Sequence, residues 1–139
     1  MADAQTFNFE LVSPEKILVS EPAWQVVVPG EEGYFGVRAG HMSLIAAIKP
    51  GVVEVWASEG AAPQKIFIAG GFADVTANNC SILAEQAVNV NDIDAAAVQK
   101  SIADLNDDLK MATAEADKTV IQNKLNIATL KLQAVQTAA

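Results

Sequence analysis

"QKIFIAGGFADV", residues 64–75, decides the fold class of this chain. The stretch is rich in β-branched and aromatic residues, which is typical of strands. Its central Gly70-Gly71 pair predicts either a β-bulge or a point where two sheets touch. All eight glycines, all five prolines and all eight aromatic residues of the chain lie at or before Phe72. This split predicts a strand-rich front half and a helical back half.

Short strands separated by turn residues fill the rest of the front half. In "TFNFELV", residues 6–12, apolar side chains alternate with Asn8 and Glu10, and "VVEVWA", residues 52–57, shows the same period of two. Proline and glycine punctuate these runs, which number about eight or nine at a spacing of roughly ten residues. Such a series predicts a β-sandwich or a flattened barrel, because both architectures hide strand edges.

The back half predicts two helices, beginning after an N-cap at Asn91 or Asp92. Apolar residues recur there at steps of three and four in two separate stripes. Between these stripes the periodicity is lost, which predicts a turn near residues 112–114 and an antiparallel hairpin of two helices of about 18 residues each. The fold class is therefore α+β, mainly β, with a β domain over residues 1–90 and a helical hairpin over 91–139. Apolar residues at steps of three and four form the stripes: Val98, Ile102, Leu105 and Leu109, then Ile121, Leu125, Ala128, Leu132 and Val135.

The seam of this hairpin is thin, because alanine abounds in it and aromatic residues are absent. Burial of each aliphatic side chain contributes only about 1.5–3 kcal/mol before the entropy of ordering is subtracted. Two structural interpretations therefore remain open at this point. The hairpin is either a static element packed on the β domain or a bistable one that extends when a partner replaces its contacts.

Composition excludes several classes of function. The chain has 139 residues and a formal net charge of -8, so a nucleic acid or an anionic lipid surface would repel it overall. Its single cysteine, Cys80, cannot form an internal disulfide. The N-terminal residues contain no basic leader followed by an apolar run, and no window approaches 18 apolar residues. We therefore expect a soluble cytoplasmic chain without nucleic-acid partners and without insertion into lipid.

Catalytic and metal-binding patterns are also missing from the sequence. One histidine, His41, and one cysteine 39 positions later make no metal-ligand spacing. No nucleophile-elbow pattern surrounds a serine, and the glycines of residues 30–40 lack the lysine of a phosphate-binding loop. The expectation is a chain that is not an enzyme and binds neither a metal nor a cofactor.

"PGEEGYFGVRAGHMSLI", residues 29–45, has the composition of an interaction surface. Two aromatic residues, the arginine and the histidine fall within one turn-rich stretch, and such residues are enriched at protein interfaces. The alternative is purely structural. In that interpretation Phe35 and Val37 face the core, and only Tyr34 and Arg38 face outward.

The same stretch carries a resemblance to a known family. The segments "PGEEGYFGVRAGHMSLIAAIKPGVVEV", "FIAGGFADVTANNCSILAEQA" and "DIDAAA" are similar, in order and spacing, to the epsilon subunits of bacterial F-type ATP synthases. The resemblance runs over nearly the whole chain. It implies a ten-stranded β-sandwich followed by a two-helix hairpin, in agreement with the periodicity of the sequence.

This resemblance implies a central-stalk rotor subunit that couples proton-driven rotation of the membrane c-ring to ATP synthesis in the catalytic head. Such a subunit has no active site and is a peripheral protein at the cytoplasmic face of the bacterial inner membrane. Its partners are the gamma subunit, the c-ring and, through an extended hairpin, the alpha/beta head. By position, Glu31, Glu32, Gly33 and Tyr34 would face the c-ring, and Gly40, His41 and Met42 would face gamma.

A second role implied by the family is inhibition of ATP hydrolysis by an extended hairpin. Folded hairpins of the family bind ATP through an Ile/Leu-Asp-x-x-Arg-Ala motif. Here the corresponding segment is Ile93 to Val98, with Ala97 at the position of the arginine. Without guanidinium groups to hold phosphates, we expect no tight ATP binding. A third alternative, a free-standing β-sandwich with a small-molecule site, lacks the converging polar groups of a pocket.

Overall fold

The computed structural model describes residues 5–138, and the chain divides into two compact units between Asn89 and Val90. The first unit holds ten strands, and the second holds a 3-10 turn and two helices. The elements are β1 (Phe7–Val12), β2 (Ile17–Ala23), β3 (Gln25–Gly30), β4 (Gly33–Val37), β5 (Leu44–Ile48), β6 (Gly51–Trp56), β7 (Gln64–Ile68), β8 (Gly71–Val75), β9 (Asn79–Ala84), β10 (Ala87–Asn89), the turn Val90–Asp92, α1 (Ala95–Met111) and α2 (Glu115–Ala138).

The ten strands form two five-stranded layers. One layer has the order β10-β7-β6-β3-β4, and the other has the order β5-β8-β9-β1-β2. The layers join through the single pair Gly30–Ile48, and every pairing is antiparallel except that of β1 with β9. The predicted ten-stranded β-sandwich is thus confirmed. The periodicity alone indicated eight or nine strands, because β10 is only three residues long and shows no alternation.

The hydrophobic core of this unit comes from the inward face of each strand. In β1 the predicted inward residues are all buried, and in β6 Val53 and Val55 are buried while Ala57 lies past the end of the strand. The largest side chains that are fully buried are Phe9, Phe67, Leu11, Ile66, Ile68, Ile82, Val26, Val28, Val37, Val53 and Val75.

The Gly70-Gly71 pair is the point where the chain crosses between the two layers. β7 pairs with β6 and β10, whereas β8 pairs with β5 and β9. Both glycines have positive φ, of 106° and 149°, which side chains with a Cβ rarely adopt. A Cβ at Gly71 would also collide with the carbonyl group of Leu83. The close approach at Gly71 is to β9, the neighbouring strand of the same layer, so the pair marks a crossover between the layers and not a contact of their faces.

The second unit is the predicted antiparallel hairpin, with its turn at residues 112–114. The predicted N-cap was wrong by two or three positions. Asp94 caps α1, because its carboxylate accepts hydrogen bonds from the backbone N–H groups of Ala96 and Ala97, at 3.0 and 3.3 Å. Val90–Asp92 instead form the 3-10 turn. The helices have 17 and 24 residues.

The predicted seam residues are the less exposed ones of both helices, but few of them are fully buried. Within α1 and α2, among residues 95–137, only Val98, Leu125 and Ala134 are buried, with 7–9% of their surface exposed, and the other seam positions are half-buried. No helix within residues 5–138 is both long and apolar enough to span a membrane.

Candidate interaction surface

The turn that carries Glu31 and Glu32 is a tight β-hairpin between β3 and β4. Gly30 pairs with Gly33, whose φ of 133° requires a glycine. The Glu31 N–H donates to the Ala47 carbonyl at 3.1 Å, which ties the turn to β5. Both carboxylates remain exposed. The turn therefore presents two negative charges on a rigid base.

Tyr34 packs across the base of this turn and still exposes 58% of its surface. The Lys49 ammonium lies 5.7 Å from the centre of its ring. A Cβ at Gly51 would lie 3.0 Å from the Tyr34 hydroxyl oxygen, so the glycine makes room for the ring. The neighbouring Phe35 is half-buried against the core. The Tyr34 ring thus contacts Lys49 and Gly51 on one side, and its exposed part is available to a partner.

The loop between β4 and β5 holds the second group of predicted residues. Gly40 has a φ of 84°, and its N–H donates to the Ala77 carbonyl at 2.8 Å. The His41 N–H donates to the Arg38 carbonyl at 3.1 Å, and His41 Nδ1 lies 2.6 Å from the Met42 carbonyl oxygen. Because a carbonyl only accepts, Nδ1 carries the proton in this contact. The loop is rigid, and the Met42 side chain is exposed.

Arg38, the only arginine of the chain, is exposed and lies over an aromatic ring. Its guanidinium carbon lies 4.1 Å above the centre of the Trp24 ring. Cation–π contacts of this kind contribute about 0.5–1 kcal/mol at exposed sites. The predicted structural alternative for the stretch is therefore right about packing, since Phe35 and Val37 face the core.

Strand β5 joins the two groups of predicted residues. The Gly40–Met42 loop leads into its first residue, Leu44, whereas the Glu31–Tyr34 turn is bonded to its other end at Ala47 and Ile48. Five residues of strand span about 13–17 Å. The two groups do not converge on one site but lie at opposite ends of one strand.

The outward face of the β5 layer carries a row of apolar residues that sequence reasoning missed, and this row meets β5 at Ala47. Phe72 and Leu83 are each 59% exposed, and Ile45 is 76% exposed. The strand registers place the row side by side across all five strands: Ile17, Val12, Leu83, Phe72 and Ala47. Contiguous exposed apolar surface of this kind is characteristic of a docking face.

A sequence signal for this row did exist. Phe72 shares a strand face with Asp74, and Leu83 shares one with Asn79 and Ser81. A large apolar side chain on an otherwise polar face has no place in the core of the same layer. In β5, "LIAAI", neither face is polar. The face that carries the row also carries Asp74 and Glu10, so the surroundings of the row are acidic.

Sites of bond chemistry do not stand out in the part of the chain described by the structure. Over residues 5–138, no three His, Cys, Asp or Glu side chains gather as a metal ion would require. Burial, with a smaller contribution from the Asp74 carboxylate, raises the pKa of the Cys80 thiol to about 12. A thiol with such a pKa is a poor nucleophile.

Comparison with known families identifies the β unit. The family model of the beta-sandwich domain of the ATP synthase delta/epsilon chain matches residues 6–90. The ATP synthase epsilon chain of Rhodospirillum centenum is 40% identical over 136 residues, which cover 95% of this chain and 93% of that protein. The epsilon chain of Rhodospirillum rubrum is 44% identical over 115 residues, or 83% of this chain and 85% of that protein.

Solved structures show the same architecture. A chain of the Euglena gracilis mitochondrial ATP synthase, solved by cryo-EM as an OSCP/F1/c-ring assembly, is 27% identical with a TM-score of 0.76. The match covers 97% of this chain and 81% of that chain. A chain of the central stalk/c-ring of the Tetrahymena thermophila mitochondrial ATP synthase shares the fold, with a TM-score of 0.63 at 11% identity, over 96% of this chain and 99% of that one.

Proposed function

Since the chain belongs to the family of ATP synthase delta/epsilon chains, we propose that it is a central-stalk rotor subunit of a proton-translocating ATP synthase. In this proposal it couples rotation of the membrane c-ring to ATP synthesis in the catalytic head and performs no bond chemistry itself. It acts as a peripheral protein at the cytoplasmic face of a bacterial inner membrane. The β unit, residues 1–90, makes the contacts with the stalk and the ring.

The observation that carries the proposal is the apolar row, which meets β5 at Ala47, together with Ile45, which lies two residues nearer to the Gly40–Met42 loop. Phe72, Leu83 and Ile45 keep most of their surface exposed, although each belongs to a strand. An isolated protein gains nothing from this arrangement, whereas a permanent subunit interface has an apolar core with a polar rim. We assign this face, together with Gly40, His41 and Met42, to the gamma subunit. Its acidic surroundings fit a partner with a basic rim.

The second interface is the Glu31–Tyr34 turn at the other end of β5, which we assign to the c-ring. Its charges and its supported tyrosine suit the polar loops of a membrane ring. Torque requires joints that do not bend, and both groups of residues are held by backbone hydrogen bonds and by glycines with positive φ. A short strand between two such joints transmits rotation from one partner to the other.

The decisive experiment is pull-down and titration of the chain with the gamma subunit of its own ATP synthase. The double variant Phe72→Thr with Leu83→Thr removes two exposed apolar side chains and keeps residues that favour strands. Partial burial of these side chains at the interface would contribute about 2–3 kcal/mol, so we expect roughly 30- to 150-fold weaker binding. The substitution Val120→Thr, at a residue of α2 that is 52% exposed, is the matched control and should leave binding unchanged.

Two results would count against this assignment. Equal weakening by Val120→Thr would mean that any loss of apolar surface matters, and unchanged binding by the double variant would remove the row from the interface. For the ring interface, Glu31→Lys with Glu32→Lys should impair proton-driven ATP synthesis while binding to gamma is kept. Loss of both together would contradict the separation of the two ends of β5.

A regulatory role of the hairpin, residues 91–139, is the second candidate. The thin burial in its seam favours this role, because only Val98, Leu125 and Ala134 are buried within residues 95–137. A weakly held hairpin could open and reach the alpha/beta head. We expect no ATP control of this step, since Asp94 serves as the N-cap and Ala97 brings no guanidinium group.

Truncation after Asn89 tests the regulatory role in the assembled enzyme. If the hairpin inhibits, ATP hydrolysis rises on truncation while binding to gamma is kept. Unchanged hydrolysis would exclude inhibition. Calorimetric titration of the full chain with millimolar ATP should give no heat of binding, and a clear isotherm would contradict the argument from Ala97.

A further inference from the structure

The open edge of β5 runs between the two interfaces of the proposed function, which uses side chains of this region but not the free backbone groups of the strand. β5 lies at the boundary of the two layers, with β8 on one side along its whole length. On its other side it meets β3 at the single pair Gly30–Ile48. Within residues 5–138, no strand pairs with Leu44–Ala46 on that side.

The backbone hydrogen bonds at the end of β5 show which backbone groups face this open side. Ala47 accepts from the Glu31 N–H at 3.1 Å, and the Lys49 N–H donates to the Pro29 carbonyl at 3.0 Å. Backbone groups of alternate residues in a strand point to the same edge. The N–H and C=O of Ile45 and the N–H of Ala47 therefore point to the open side, past the place where β3 turns away.

These groups line a groove of about 520 Å³ between the Glu31–Tyr34 turn and β5. That volume lies within the range of about 300–1,000 Å³ typical of ligand clefts. Phe35, Leu44 and Ile45 give the groove apolar walls. Its only charged lining residues are Glu31 and Glu32, so the groove is acidic at one end.

We propose that this groove binds an extended peptide segment of another chain, which adds as a strand to the open edge of β5. Main-chain pairing with Ile45 and Ala47 supplies the register, and apolar side chains of the segment contact Phe35 and Leu44. Charge complementarity with Glu31 and Glu32 calls for lysine or arginine in the segment. The occupant is a basic strand segment, and because the groove shares the Glu31–Tyr34 turn with the proposed c-ring interface, the test uses the isolated full chain.

The test is an NMR titration of the isotope-labelled full chain with a short capped peptide of alternating arginine and valine. We expect chemical shift changes along β5 and slower amide exchange at Ile45 and Ala47. Two control peptides separate the contributions. Alternating glutamate and valine keeps strand propensity but reverses the charge, and alternating arginine and proline keeps the charge but cannot form a full ladder. Neither control should protect these two amides.

A pair of substitutions at one position isolates the backbone contribution. Ile45→Pro removes the N–H that faces the groove. The backbone hydrogen bonds from β5 to β8 are kept, because they use the even-numbered residues of β5. We expect at least about tenfold weaker binding of the arginine–valine peptide. Ile45→Thr keeps the N–H but shortens one wall of the groove, so it should weaken binding by no more than about threefold. Protected amides in β8 verify that both variants are folded. If Ile45→Pro does not fold, the exchange measurement on the unsubstituted chain still decides whether the peptide pairs with β5.

Three outcomes would overturn the proposal. Equal binding of the arginine–proline peptide would mean attraction by charge alone, without a paired strand. Absence of any shift in β5 at millimolar peptide would mean that the edge does not accept a strand. Protection of Ile45 and Ala47 that rises with protein concentration, without peptide, would assign the edge to a second copy of this chain instead.

Discussion

The two units of this protein differ in how deeply they bury their apolar side chains. In the β unit, residues such as Phe9, Leu11 and Val53 are at most 1% exposed, and two layers enclose them. In the hairpin the best-buried helical residue, Leu125, is 7% exposed, and most of the seam is half-buried. A sandwich with a closed core resists local opening, whereas a two-helix seam of small residues does so only weakly. The difference suits a rigid interface in one unit and a movable element in the other.

A leucine-to-alanine substitution in each unit tests this difference with the largest expected change in stability. Leu11→Ala should destabilise the β unit by about 3–4 kcal/mol, because it leaves a cavity in a closed core. Leu105→Ala, at a half-buried seam position, should destabilise the hairpin by about 1–2 kcal/mol. Urea denaturation measures the first change and native-state amide exchange the second. Equal costs would mean that the hairpin is as tightly packed as the sandwich.

Alanine substitutions at Gly71 and Gly36 test how closely the strands of the β unit are packed. Gly71→Ala forces a Cβ into the Leu83 carbonyl group at a positive φ, so we expect a loss of about 2–3 kcal/mol. For a domain of this size, the melting temperature should fall by about 10–20 °C. Gly36→Ala meets open space and should change stability by no more than about 0.5 kcal/mol. Similar melting temperatures for both variants would show that β8 and β9 can move apart enough to admit the extra methyl group.

The buried thiol tests how dry the core of the β unit is. Because the pKa of Cys80 is raised from 9.0 to about 12, its contribution to stability is complete below pH 9 and is lost as the pH rises toward 12. Between pH 8 and pH 10 the unsubstituted chain should therefore lose about 1.4 kcal/mol more stability than Cys80→Ala. Denaturant titrations at both pH values measure this difference. Parallel pH curves for the two proteins would mean that water reaches the thiol.

The smallest effect tests the local support of the hairpin. Asp94→Ala removes the carboxylate that accepts from two N–H groups at the start of α1, which should cost the hairpin about 1 kcal/mol. Asp92→Ala, at one of the two positions that the sequence pattern indicated as a cap, should cost less than about 0.5 kcal/mol. Amide exchange in the first turn of α1 reports both changes. A larger effect at Asp92 would reverse the assignment of the cap.

Much of the fold was predictable, because it depends on local periodicity. Period-two alternation identified the inward residues of β1, and steps of three and four identified the seam and the turn at 112–114. The N-cap was missed because three candidate side chains, Asn91, Asp92 and Asp94, follow one another closely, and only the backbone geometry decides which one accepts the bonds. β10 was missed because three residues are too few to show a period.

The candidate surface was predictable only in part. Its loops were visible in sequence because glycine, aromatic and charged residues cluster there, and the structure shows glycines with positive φ in both and an exposed Tyr34 and Met42. Their positions at opposite ends of β5 depend on long-range hydrogen bonds, which no local pattern encodes. Their assignment to the ring and to gamma remains a proposal.

The amino-acid sequence alone determined the class of architecture, the boundary between strands and helices, and membership in its family, because side-chain periodicity and motif order are properties of neighbouring residues. The tertiary structure decided which face of each strand is covered. Phe72 and Leu83 look like core residues when taken singly, and only the register of five strands brings them together on the outside. The physical reason is that burial is a property of pairs of elements, while alternation is a property of one.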